Sequence, residues 1–396
     1  MTSTPIIRIQ TIEDAETFER LREPWTELVA ASASDGLFLT WEWLFTWWKH
    51  LAEDRELSIR VVRSRGDIIA IAPLAIRRKR LAGVLPVRSL EFLGTGAVGS
   101  DYLDIIVRRG HERVVVPALV EHLTREGVML DLGQIDRSSG VASALESALR
   151  ARGWARGEPS TVVCPFIDLR GHSWASYVAT LGADHRYNLQ RRLRNAARQF
   201  DLRFEPARAE PERTRDLAML LRLHDLRFGE RSDAFHTPAL HAFHDDVSRT
   251  ALAQGALRLF LLSLDGRPAA ALYGFRHRER FYFYQSGFDP TYAKWSVGLL
   301  AMALAIKSAI EEGAEEYDLL HGDEPYKFHW ARRTRQLERL ELYPPTVRDR
   351  IRRRARGANR SARRLARRLL PETVVERIAT ARRVGVWRTL GAVRPL

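Results

Sequence analysis

Residues 281–330, FYFYQSGFDPTYAKWSVGLLAMALAIKSAIEEGAEEYDLLHGDEPYKFHW, constrain the fold more than any other stretch of the chain. Aromatic residues alternate from Phe281 to Tyr284. Strand side chains point to opposite faces with period two, so the segment predicts a half-buried strand. Asp289 and Pro290 break it. Ser296 and Gly298 stand where a helix should begin, and Leu299, Met302, Ala303, Ile306 and Ile310 recur at helical spacing up to Gly313. A second strand over 317–320 then runs into HGDEPYKFHW. The predicted unit is strand, small-residue turn, helix, strand, with polar residues gathered at the end of the second strand.

The first turn of a helix carries unpaired backbone N–H groups and a partial positive charge, so it can hold a phosphate. Lys294 adds a cation just before it. By itself Ser-x-Gly ahead of a helix is more often a simple cap. The neighbouring residues favour the phosphate reading.

Composition narrows the class. The chain has 396 residues, 45% hydrophobic and 28% charged, which suits a soluble protein with two ordinary domains. Its one cysteine, Cys164, lies in the apolar run TVVCPFIDL and reads as a buried thiol; an internal disulfide or a cysteine-cluster metal site is excluded. No metal is expected. No leader pattern or membrane-spanning apolar run is read, so a cytoplasmic location is expected. The charge is uneven: residues 346–396 hold sixteen arginines against Asp349, Glu372 and Glu376, which is +13 of the chain's +14. In that tail Val347, Ile351, Ala355, Ala358, Ala362, Leu365 and Leu369 recur at three and four residues. An apolar stripe flanked by arginines predicts a helical tail docking peripherally on an anionic membrane surface at its inner face, with RNA as the lesser alternative.

Taken in order, the rest of the chain predicts an α/β fold. A strand opens it, a helix is expected over 13–31, and Trp41, Trp43, Trp47 and Trp48 at helical spacing read as core or domain interface. Strands are expected over 57–62, 68–76, 89–93, 102–107 and 128–132, with helices over 112–125 and 142–152. The glycine-rich turn GTGAVGS lies between strands and does not lead into a helix, so it is no phosphate cradle. Asp101 and Asp104 beside this loop could bind a cationic substrate at the cleft, but the plainer reading is of solvated loop residues. After a strand over 161–169 comes an Arg-rich helix with His185, Arg186, Asn188, Arg191, Arg192 and Arg194. It is either a solvated face or a cleft that attracts an anion through Arg186, Arg191 and Arg192. His224, His236, His241 and His244 match no metal motif and read as surface residues.

The spacing WSVGLL, then AIEEGAEEYDLL, then GDEPYKFHW resembles the C-terminal half of the BioF2-like and CelD-like group of the GNAT acyltransferase superfamily, relatives of the FemAB and FemX double-domain proteins. The likeness covers most of residues 1–345. It implies two tandem GNAT-like domains with mixed, mostly antiparallel central sheets. They would span 1–165 and 166–345, with 346–396 as the basic tail. It further implies that the strand carrying Tyr284, Gln285, Ser286 and Gly287 lines the pantetheine arm of acetyl-CoA or acyl-CoA. The turn with Lys294, Ser296, Val297, Gly298 and Leu299 would take the pyrophosphate. The first domain would lack a good cofactor site.

Acyl transfer to an amine needs a neutral amine close to a thioester, donors for the oxyanion and a proton for the leaving thiolate. Asp323 and Glu324, at a strand end, are candidate bases, and His321 is a third because its pKa lies near neutrality. Tyr326 is the candidate proton donor, carried over from the resemblance by position. Lys327 would bind a substrate or cofactor anion. The plainer alternative has Glu324 capping a helix that starts at Pro325, with Tyr326, Phe328 and Trp330 packed on the sheet. Three functions remain open: a CoA-dependent N-acyltransferase acting on an amine of a small molecule, sugar or cell-envelope precursor, often linked in this group to polysaccharide pathways; a FemX-like transferase using aminoacyl-tRNA; and a non-catalytic scaffold at a membrane.

Overall fold

The computed structural model describes residues 7–81, 85–138, 140–229, 232 and 234–346. The tail predicted as helical lies outside them beyond Thr346. The first half runs β1 (Ile7–Ile12), α1 (Ala15–Arg20), α2 (Arg22–Ala30), α3 (Trp41–Leu51), β2 (Arg55–Leu57), β3 (Ile59–Ser64), β4 (Asp67–Ala72), β5 (Leu74–Leu81), β6 (Leu85–Phe92), β7 (Ile106–Val107), α4 (Glu112–Glu126), β8 (Met129–Asp136), α5 (Gly140–Ala151), β9 (Ala155–Arg156) and β10 (Ser160–Asp168). The second half runs α6 (Trp174–Thr180), α7 (Ala183–Gln199), β11 (Leu202–Pro206), α8 (Glu210–Phe228), α9 (Pro238–Ala253), β12 (Leu257–Leu264), β13 (Arg267–His277), β14 (Arg280–Phe288), α10 (Val297–Glu311), β15 (Glu316–Asp318) and β16 (Arg333–Tyr343).

The helix expected over 13–31 is two helices. Asp14 caps the first by accepting the Thr17 N–H at 2.7 Å. The break falls at Leu21, where Pro24 has no N–H to return to Arg20.

A small sheet orders β1-β3-β4-β7, and a large one orders β11-β12-β13-β14-β15-β10-β16-β8-β6-β5-β2, with β9 on the flank of β16. All pairings in the large sheet are antiparallel except two, β14 with β15 and β6 with β8. Each parallel pair needs a crossover, and helices supply it: α10 in the second half, α4 in the first. At the centre the halves exchange strands. β10 pairs with β15, and β16 lies between β10 and β8.

Alternation along the central strands sorts the core into two layers. Ala271, Tyr273 and Phe275 of β13 face Leu217, Leu220 and Phe243 of α8 and α9, while Leu272 faces the layer holding Leu189 of α7 and Met302 and Ile306 of α10. β14 is covered in the same way on both sides. Phe281 and Phe283 join one layer and Tyr282 the other, so the predicted half-buried strand is in fact buried on both faces. The tryptophan run of α3 is core, as its spacing predicts. Trp43 is 2% exposed and sets its indole edge-on to Phe38, Phe243 and Phe275, joining α3 to the second half.

Candidate active site

The site begins with a wedge in the sheet. β14 and β15 pair only over Arg280–Tyr282 and Glu316–Asp318. Beyond that, the chain after β15 leans away toward β10: Leu319 N–H donates to Pro165 O at 3.0 Å and Gly322 N–H to Val163 O at 2.9 Å. β14 stays paired with β13, with a bulge that sets Tyr273 opposite Gln285 and Gly274 opposite Phe283. Gly274 is required there, because a Cβ would lie 2.5 Å from Tyr282 O. The divergence leaves one edge of β14 without a strand neighbour from Phe283 onward, and a cavity of about 570 Å³ opens against it.

Tyr284, Gln285, Ser286, His321, Glu324, Tyr326 and Lys327 line this cavity, as do His224 and Arg227 of α8. Helix α8 can come this close because Gly287 has no side chain: a Cβ there would sit 2.3 Å from His224 N. The far wall is the first half's Ala97, Val98 and Gly99, and the Tyr284 hydroxyl donates to Val98 O.

His321 is held by a residue 220 positions away. Its Nδ1 lies 2.8 Å from Asp101 Oδ1, and its backbone N–H donates to Asp101 Oδ2 at 2.8 Å. Asp101 is fully buried and also accepts from Gln134 Nε2 at 2.7 Å, so the reading of a solvated loop residue is overturned. Asp104 is buried too and accepts the Ser34 hydroxyl at 2.7 Å. The Asp101 hydrogen bond raises the His321 pKa above the ordinary imidazole value against the opposing pull of burial. With Nδ1–H given to Asp101, the neutral ring carries its lone pair on Nε2.

The other candidates separate. The Lys327 ammonium is bound to His321 O at 2.7 Å, Leu320 O at 3.4 Å and Glu324 at 3.0 Å, so it clamps the loop that carries His321 and has no donor left for an anion. The residues from Pro325 to His329 form a 3₁₀ turn that Glu324 does not cap with its side chain. Trp330 is buried and Tyr326 partly so, while Phe328 is exposed. Burial pushes the Tyr326 pKa up to about 12, which keeps its hydroxyl protonated at neutral pH. Asp323 is exposed and does not line the cavity.

The turn before α10 lies apart from the cavity. Ser296 has a left-handed backbone, φ 55°, and no side chain caps the helix. Arg192 of α7 donates to the Ser296 hydroxyl, which sets a guanidinium at the helix start. Lys294 is exposed over the Trp295 ring, Val297 is buried, and Leu299 packs on the core. Phe288 and Arg227 link turn and cavity: a Cβ on Gly298 would lie 3.2 Å from the Phe288 ring, and Arg227 sits 4.8 Å over that ring while donating to Ser286 Oγ at 3.1 Å. Arg186 donates back to Ala179 O of α6, and Arg191 to Asn188 Oδ1 within α7.

Sequence reasoning missed His224 and Arg227. His224 and His244, read as surface histidines, are 3% and 1% exposed, and both pack against Phe235. Burial lowers the His224 pKa to about 4, so it is neutral in the cavity wall. The signal available was the pairing of apolar helix spacing with those histidines. Among the described residues no group of His, Cys, Asp and Glu could hold a metal ion, and no helix is long and apolar enough to cross a membrane.

Beneath the site Asp318 is 1% exposed, and burial pushes its pKa up to about 7. The folded state therefore holds a proton that the unfolded chain has lost, and this group's contribution to stability falls as pH rises from about 4 to about 7. Asp318→Asn keeps the site neutral and leaves Oδ1 to accept the Leu320 N–H. Its thermal midpoint relative to the parent should rise between pH 4 and pH 8. Melts at the two pH values check this, and an unchanged difference overturns it.

Residues 183–328 match the family model described as an acetyltransferase (GNAT) domain. No curated protein sequence is significantly similar to the chain. Among solved structures, FemX superposes with a TM-score of 0.56 at 12% identity, over 84% of this chain and 96% of FemX. The C-terminal domain of a putative lysylphosphatidylglycerol synthetase from Agrobacterium fabrum gives 0.51 at 14% identity, over 84% and 93%. L-PGS from Bacillus licheniformis gives 0.50 at 12% identity, over 87% and 96%. These likenesses extend over both halves and concern the fold. Residues 183–328 therefore carry a GNAT acetyltransferase domain by their match to the family model, and the chain shares the fold of FemX along both halves.

Proposed function

We propose that the protein is an N-acyltransferase that moves an acetyl or longer acyl group from acyl-CoA to an amine of a small-molecule, sugar or cell-envelope precursor. The observation that carries this reading is the wedge between β14 and β15, whose cavity holds His321 and is linked through Phe288 and Arg227 to the uncapped start of α10. The residues present fit such a donor. The free edge of β14 supplies amide partners for an extended arm, and the first turn of α10, with Arg192 beside it and no Cβ at Gly298, suits a pyrophosphate. The bound thioester supplies an activated carbonyl. His321 Nε2 takes the proton of the attacking amine as the C–N bond forms, and the Tyr326 hydroxyl returns a proton to the sulfur as the C–S bond breaks. Positioning the two reactants in one cavity contributes the larger part of the rate.

Calorimetry with acetyl-CoA and longer acyl-CoA on the full chain tests this, with Gly298→Glu as the partner variant. The added carboxylate would repel phosphate at the helix start and displace the Phe288 ring. Micromolar binding, weakened at least about tenfold in the variant, with unchanged circular dichroism, is the expected result. No binding by the parent removes acyl-CoA as donor. A second reading would then lead, with aminoacyl-tRNA as donor. It is favoured by α7, where Arg186, Arg191, Arg192, Arg194 and Arg198 form no ion pair among the described residues and Tyr187 is 61% exposed beneath Arg191.

A further inference from the structure

The first half repeats the geometry that opens the wedge in the second. β6 and β8 run parallel, are joined by the crossover helix α4, and pair only at Ser89 with Met129 and Leu90 with Leu130. Past those residues β8 again has an edge with no strand beside it from β6. Here, however, the space is filled by the chain itself. Residues 94–105 turn back along β8, and Leu103 N–H donates to Gln134 O at 3.0 Å. Leu103 and Val98 are 0% and 1% exposed. Trp43 Nε1 fixes Ser100 Oγ at 2.9 Å, and Gly94, at φ +85°, lets the segment turn where a Cβ would lie 3.0 Å from that oxygen. The strand expected over 102–107 shrinks to Ile106–Val107 for this reason.

The same segment reaches across to the other half. Asp101 is the residue between Ser100, tied to Trp43, and Tyr102, beside the tied Leu103, so its carboxylate is presented to His321 from a fixed backbone. A fully buried carboxylate is costly unless every acceptor position is used. This one receives the His321 ring, the His321 N–H and Gln134, with the Cys164 thiol 3.9 Å away. A loop that only closed a cleft would have no need of a charge at that depth.

We propose that residues 94–105 permanently occupy the donor cleft of the first half, and that Asp101 on this segment is a positioning residue for His321, so that the chain binds one donor molecule and its first half serves the chemistry of its second. The donor count rests on the acyl-CoA reading above; the positioning role does not.

The test is nuclear magnetic resonance of histidine-labelled full-length protein, with the His321 signal assigned from its loss in His321→Gln. Asp101 and Glu324 raise the His321 midpoint, while burial and Lys327 lower it. In Asp101→Asn the midpoint should fall by about 1–3 pH units. In turnover, the acid limb of kcat/KM should move down with it while the donor KM stays unchanged. Gln134→Asn, whose shorter side chain cannot reach Asp101, provides a second variant if Asp101→Asn does not fold. Freed of that competing donor, Asp101 should hold the His321 proton more tightly and move the midpoint up. Calorimetry should give one acyl-CoA per chain. A folded Asp101→Asn or Gln134→Asn with the parent midpoint overturns the positioning role, and two equivalents of donor per chain overturn the filled cleft. An absence of any acyl-CoA binding would count against the donor reading alone and leave the titration decisive for Asp101.

Discussion

His321→Ala is expected to lower kcat/KM for amine acylation by about 10²–10⁴-fold, the usual contribution of a positioned general base. The loss should fall on kcat, with donor affinity unchanged, because His321 lines the cavity and the α10 turn lies apart from it. The pH dependence gives a second signature. His321 accepts a proton only when neutral, and Asp101 holds its pKa above the ordinary value near 6.5, so the parent should gain activity with rising pH through a limb above that value. The alanine variant should lack the limb. Asp323→Ala should bring no comparable loss, since Asp323 is exposed outside the cavity. Rates against pH for the three proteins decide the matter. An alanine variant that kept the parent rate would remove His321 from the reaction.

Trp43→Ala should destabilise the protein by about 3–5 kcal/mol, the cost of deleting a buried aromatic side chain whose cavity cannot collapse. Collapse is hindered here because Phe38, Phe243, Phe275 and Tyr284 meet the indole from four separate elements. The same change frees Ser100 from the indole N–H and loosens the segment carrying Asp101. Stability and turnover should therefore fall together, and urea unfolding alongside steady-state rates would show it. Trp48→Ala, on the less buried side of α3, should cost markedly less. Equal losses at the two positions would contradict this account of the interface.

What could be read in the chain was what is local. The unit from β14 to β15 followed from Phe281 to Tyr284, the spacing from Leu299 to Ile310, and Gly313, because periodicity and caps act over a few residues. The tryptophans of α3 declared themselves core in the same way. Asp101 did not, since nothing near a glycine-rich turn signals that a histidine 220 positions later will hydrogen-bond a buried carboxylate. Lys327 looked like an anion ligand for a related reason: its type was visible, but the carbonyls that occupy its ammonium come from a loop whose path is set by β10. His224 and His244 were misplaced because polar residues in a helix read as surface until the aromatic neighbours are known.

The strand β16 carries a consequence for synthesis. It separates β10 from β8 and bonds to both, so neither half's portion of the sheet has its full set of neighbours until Tyr343 has been added. Most multidomain chains complete their first domain while the second is still being translated. This one cannot. On the ribosome the edge of β8 stays open for as long as the second half takes to emerge, and an open edge is a template for pairing with other chains. A message truncated just before residue 333 would leave β8 and β10 without the strand that joins them.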